Sequence, residues 1–134
     1  MAFIEFRSED LVHIHSMDNE HHQIVLIINS LHNSVLNFDE TLRLKEMKNL
    51  IETLENHFGN EEFLMKEYKF PGYISHKLEH DRFYTQTFKN TLKRPVDRPA
   101  FGIEELESIR RWFYNHIEIK DRKCAMFLIE KGLN

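Results

Sequence analysis

Between His57 and His80 the chain places an imidazole four residues before a carboxylate, His57 and Glu61, and an imidazole four residues before another, His76 and His80. Four residues make about one helical turn, so the members of each pair differ by about 40° in direction and aim at one point beside the helix. Each pair therefore offers two converging metal ligands. His21 and His116 add single imidazoles from elsewhere in the chain. Asp121 follows His116 at a spacing of five, which turns it by about 140° on an ideal helix. It meets the same centre only if that helix bends, widens or ends there.

The set amounts to five imidazoles and two carboxylates. That is too many donors for one tetrahedral zinc. It suits two adjacent first-row metal ions bridged by the carboxylates, and imidazole-rich, thiolate-free ligation favours iron over copper(I) or a cluster. Manganese or zinc could occupy the same cage. The competing reading of His57 and Glu61 is a buried ion pair. His76 and His80 without a metal would repel one another when protonated.

The elements that must position these groups are helices. Met17, His21, Ile24, Ile28, Leu31 and Val35 alternate steps of four and three, a seam on one helix face with Ser16 as the expected N-cap. A second seam runs Met47, Leu50, Leu54, His57, Glu61, Leu64, Tyr68, capped by Asp39 or Thr41 and closed by Pro71-Gly72. The third is Tyr73, His76, His80, Phe83, Thr87, fading near Leu92 before the Pro95–Pro99 loop. The fourth is Leu106, Ile109, Phe113, His116, with a short amphipathic C-terminal helix around "CAMFLIEKG". Residues 1–15 read as an extended arm on the outside, with Phe3, Ile4 and Phe6 apolar. The expected fold is all-α, an antiparallel up-down four-helix bundle forming a single domain over 1–134. In that fold the histidines occupy seam positions. Burying them unsatisfied would cost roughly 1–3 kcal/mol each, against a total stability of about 5–15 kcal/mol.

Composition narrows the classes. A net charge of −4, with Lys and Arg scattered among acids, leaves no footprint for nucleic acid or an anionic membrane. The single cysteine, Cys124, excludes an internal disulfide and fits a reducing compartment. No charged-then-apolar leader opens the chain and no apolar run approaches ~18 residues, so a cytoplasmic protein is expected. Eleven Phe against four Gly and three Pro agree with helices carrying a large core.

Four motifs occur in one order: "MDNEHH", "HFGNE", "HKLEH" and "HIEIKD". With "FIEF", "INSL", "EEFLM" and "WFYNHI" they resemble the hemerythrin family, in its bacterial single-domain form, over nearly the whole chain. The spacing of five between His116 and Asp121 is the family's own. The resemblance implies that His76, His80 and His116 hold one iron and His21 and His57 the other. Glu61 and Asp121 would bridge the pair with an oxide or hydroxide, leaving an open position on the second iron. It further implies reversible binding of dioxygen as peroxide, for carriage, storage, delivery or sensing. Dioxygen would be the ligand and an oxygen-consuming enzyme or reductase a possible partner.

The alternatives are a di-iron enzyme (an oxidase, a peroxidase, or a scavenger of nitric oxide or peroxide) and a module that holds iron structurally. Oxygen-activating di-iron bundles use Glu-x-x-His pairs, and none occurs in this chain. Binding is therefore favoured over catalysis. Ile24, Ile28, Phe58, Trp112 and Phe113 are candidates to line a dry pocket, and Glu20 to accept a hydrogen bond from a ligand imidazole. Glu62 reads as surface charge, Cys124 as tail packing, and His13, His15, His22 and His32 as surface or arm. The chain departs from the family's pattern at Phe6, where Trp is frequent, at His22, where Lys is common, and at Phe113, where a smaller Leu is common.

Overall fold

Helices form where the seams predict them. The structure is a computed structural model that describes residues 2–89 and 102–134. Helix α1 spans His15–Leu36 and α2 spans Glu40–Glu67. Helix α3 spans Tyr73–Tyr84 and widens into a π turn over Thr85–Lys89. Helix α4 spans Ile103–Asn115 and passes through a second π turn, His116–Asp121, into α5, Arg122–Glu130. The four rods form an antiparallel up-down bundle, with α1 packed on α2 and α4, and α2 on α3. The expected end of the third helix near Leu92 and the Pro95–Pro99 loop lie outside the described residues.

Short connections set the alternation of direction. Asp39 caps α2, its Oδ1 accepting from the Leu42 N–H at 3.1 Å. Helix α1 closes with a Schellman turn, Asp39 N–H to Ser34 C=O at 2.9 Å, and α2 with another, Phe70 N–H to Met65 C=O at 2.8 Å. The left-handed residues of these turns are Phe38 (φ 55°) and Lys69 (φ 56°) rather than glycine. Gly72 is required for a different reason. A Cβ there would lie 2.7 Å from the Phe70 ring that folds back into the core.

Two expectations change. Ser16 is not the N-cap of α1; Ile14 holds that position without a side-chain bond. Asp18 in the first turn instead turns its carboxylate back to accept the Val12 and His13 N–H groups at 2.8 and 3.0 Å, fixing the entry of the chain. The N-terminal arm is not an outer layer either. Ile4, Val12 and Ile14 are 1%, 3% and 1% exposed and belong to the core.

The arm can enter the core because helix side chains satisfy its backbone. Asn29 donates to the Ile4 C=O and accepts from its N–H, both at 2.9 Å. The Tyr114 hydroxyl does the same for Glu5, and Arg110 and Arg122 donate to the carbonyls of Phe3, Leu11 and Glu9. The arm, with a 3-10 turn at Ser8–Asp10, is thus riveted across α1, α4 and α5 without a sheet.

Ile4→Ala should therefore behave as a core deletion and not as a surface change. It is expected to lower unfolding stability by about 2–4 kcal/mol, read from denaturant midpoints at constant m-value. A loss below about 0.5 kcal/mol would mean that the arm is a dispensable outer layer.

Candidate metal centre

The six polar seam residues and Asp121 meet inside the bundle. His21, His57, Glu61, His76, His80, His116 and Asp121 are each 2% exposed or less. The imidazoles turn Nε2 inward, and each carboxylate divides its oxygens between two groups. Glu61 Oε2 lies 3.3 Å from His57 and 3.9 Å from His21, and Oε1 lies 3.1 Å from His80 and 3.4 Å from His76. Asp121 Oδ2 lies 2.9 Å from His21, and Oδ1 lies 2.9 Å from His116 and 3.0 Å from His76. Two donor sets result, each with its ligand atoms within 4.8 Å of one another. One is Glu61, His76, His80, His116 and Asp121; the other is His21, His57, Glu61 and Asp121.

The awkward spacing of His116 and Asp121 is resolved by the π turn that begins at one residue and ends at the other. Backbone bonding from i to i+5 widens the helix there. Residues five apart are thereby brought to one face, where an ideal α-helix would set them about 140° apart.

The donor set fits metal ions on its own chemistry. Both oxygens of Glu61, both of Asp121, and Nε2 of His21 and His57 are buried without a hydrogen-bond partner. Leaving such atoms unpaired costs about 1–3 kcal/mol apiece, more when charged. Their close approaches lack hydrogen-bond geometry because the lone pairs converge on points between the residues. Cations at those points would satisfy every one of them.

Comparison with known proteins points the same way. No family model matches the chain. The bacteriohemerythrin of Aquifex aeolicus (strain VF5) is 37% identical over 118 residues, spanning 84% of this chain and 87% of that protein. The chain belongs to the bacteriohemerythrin family. Bacteriohemerythrins of Clostridium acetobutylicum and Stenotrophomonas maltophilia (strain R551-3) are 28% and 25% identical, over 82% and 93% of this chain. A crystal structure of wild-type hemerythrin shares the fold at a TM-score of 0.88 and 22% identity, covering 95% of this chain and 98% of its own.

Around the inner donors lies a ring of acids, two of which sequence reasoning missed as partners. Glu20 Oε1 lies 2.7 Å from His57 Nδ1, as expected for an outer acceptor. Glu62, read from sequence as surface charge, lies 3.0 Å from His80 Nδ1. Glu79, not singled out at all, lies 2.8 Å from His116 Nδ1. A signal was available. Each of these acids is the chain neighbour of an inward residue, His21, Glu61 or His80, and so points about 100° away from it, toward the adjacent helix. Rings cover other sides: Phe58 stacks on His80 at 3.9 Å, Trp112 on His116 at 4.4 Å, and Phe113 sets its edge to His21 at 5.9 Å. Ile24 and Ile28, one and two turns along α1 from His21, are fully buried. Cys124 is buried in α5; burial pushes its thiol up while the neighbouring His76 imidazole, one of the seven converging residues, pulls it back.

Charge in the centre is strongly correlated. Burial opposes the imidazolium of His57, but Glu61, Glu20 and Asp121 outweigh it and raise the group to about 10. Burial likewise opposes His76 and His116, which Asp121, Glu61 and, for His116, Glu79 raise to about 11 and about 9. Glu61 and Asp121 are held well below the usual carboxylate range, because the imidazoles outweigh burial and mutual repulsion. Raised histidines stabilise the fold fully below their ordinary 6.5 and lose that contribution as pH climbs through about 9 to 11. Depressed carboxylates stabilise above their ordinary values and lose that as pH falls below them. Metal-free protein should therefore be most stable at mildly acidic pH, and denaturation midpoints should fall steadily from pH 7 to pH 10. A flat profile over that interval would show that the imidazoles are not ion-paired.

Proposed function

We propose that this chain is a non-heme di-iron protein that binds dioxygen reversibly. His76, His80 and His116 would hold one iron and His21 and His57 the other, with Glu61 and Asp121 shared between the two. The observation that carries the reading is the inequality of the two donor sets. Three imidazoles and two carboxylate oxygens gather on one side, and two of each on the other. An ion in the smaller set keeps a coordination position for an external ligand, the feature that separates reactive from closed sites.

When bound, a pair of ferrous ions supplies the two electrons with which dioxygen is taken up and returned. The chain's own residues do the rest. Glu20, Glu62 and Glu79 accept from Nδ1 and so fix which imidazole nitrogen faces inward. Phe58, Trp112 and Phe113 keep water from the centre. Histidine-rich ligation without a Glu-x-x-His pair supports binding over oxidation catalysis. The role is carriage, storage, delivery to an oxygen-consuming enzyme, or sensing, in the cytoplasm, where the lone thiol of Cys124 is stable. Among the described residues no helix is long and apolar enough to cross a membrane.

Metal analysis should give about two irons per chain, one for each donor set. The reduced protein should gain visible charge-transfer absorption in air and lose it under argon, over repeated cycles. Iron-loaded protein whose spectrum ignores oxygen would reject the proposal, and steady consumption of a reductant faster than autoxidation would favour an enzyme. Phe113→Leu removes the ring edge facing His21. It is expected to speed both oxygenation and autoxidation in stopped-flow traces, and unchanged rates would show that Phe113 does not narrow the pocket.

A further inference from the structure

The aromatic covers raise the question of how a charged metal ion reaches a buried centre. A bare or hydrated cation cannot cross an apolar wall cheaply, and three ligand imidazoles are backed by rings of Phe58, Trp112 and Phe113. A cleft of about 320 Å³ between α2 and α3 carries Glu55, Glu62 and Asp81, but it ends on Phe58 stacked against His80, whose Nε2 faces away inside. That cleft is closed by the ligand ring itself.

A second cleft is built differently. About 210 Å³ in volume, it opens between α1 and α2 and is lined by Ser16, Met17, Glu20, Asn60, Glu61, Phe63 and Leu64. Ser16, Asn60 and Phe63 are exposed at its mouth, the Glu20 side chain is 29% exposed on its wall, and Met17 and Glu61 are 1% exposed at its floor. A carboxylate at the half-way point thus leads to a carboxylate that belongs to both donor sets. Glu20 is held there from both sides, accepting from Asn60 Nδ2 at 2.7 Å while its other oxygen meets His57. Met17, an unbranched side chain with three rotatable bonds, shares the floor with Glu61. It lies one turn from His21.

We infer that the cleft between α1 and α2 is the route by which divalent metal ions enter the buried centre, with Glu20 the first carboxylate they meet. The inference rests on the proposed ligand set. Oxygen, being neutral and apolar, has no need of this route. The alternative is entry by transient separation of the helices, in which case the charge at this mouth is irrelevant.

The test uses cobalt(II) added to metal-free full-length protein, with uptake followed by stopped-flow visible absorption and the endpoint by metal analysis. Phe63 is 65% exposed and lines the mouth. Phe63→Glu should accelerate uptake and Phe63→Lys retard it, each by about tenfold at low salt, the lower end of steering effects at charged clefts. Both effects should shrink with added salt, and both variants should reach the parent's stoichiometry. Asn33→Lys, an exposed change toward the far end of α1, should leave the rate unaltered. Ser16→Glu and Ser16→Lys on the opposite lip repeat the comparison should either Phe63 variant fail to fold. Rates that ignore the mouth charge, or that Asn33→Lys shifts equally, would overturn the route while leaving the centre intact. A parent protein that takes up no cobalt at all would overturn the ligand set itself.

Discussion

Two carboxylates shared between two groups of imidazoles are the constraint around which the rest of this molecule is arranged. Glu61 and Asp121 are fully buried, and each divides its oxygens between opposite halves of the centre. Burying ionised groups is costly unless opposite charge and hydrogen bonds surround them. The bundle answers by drawing imidazoles from every rod toward those four oxygens. Helix positions that would otherwise carry leucine are given up to this purpose, and the surrounding core of isoleucine, leucine, methionine and phenylalanine supplies the stability that the polar centre does not.

That arrangement forces a departure from regular helix geometry. His116 and Asp121 must face one point from the same rod, and no α-helix presents residues five apart on one face. The π turn between α4 and α5 solves the problem by widening the backbone over one turn. Ile117 inside that turn and Cys124, Ala125 and Leu128 beyond it remain buried, so the distortion is confined between two well-packed helices.

Much of this was legible in the primary structure, because seam periodicity and burial are the same fact seen twice. Residues placed on the inner faces by steps of three and four, such as Leu50, Leu54 and Ile109, are buried, and the six polar members of the seams converge with Asp121. The seam failed where the helix face drifted. Leu64 and Tyr68 are only half-buried, and Met65 takes the core position instead. It also failed where the stabilising partner is remote. Nothing near Ile4 announces that Asn29 will satisfy its backbone, and the place of Glu79 beside His80 gives its direction but not its partner, His116. Local pattern reports which way a residue points; only the packed helices reveal what stands opposite.

The outer acids have a directional consequence. Glu20 on α1 braces an imidazole of α2, Glu62 on α2 braces one of α3, and Glu79 on α3 braces one at the end of α4. Asp121, just beyond, returns to His21 on α1. The pairs therefore run round the bundle in a single rotational sense. A mirror-wound arrangement of the same rods, with α2 and α4 exchanged about α1, would bury an equivalent apolar face yet leave every one of these acids aimed at the wrong neighbour. The braces fit the observed winding alone, so the polar shell of the centre carries the hand of the bundle as well as its charge balance.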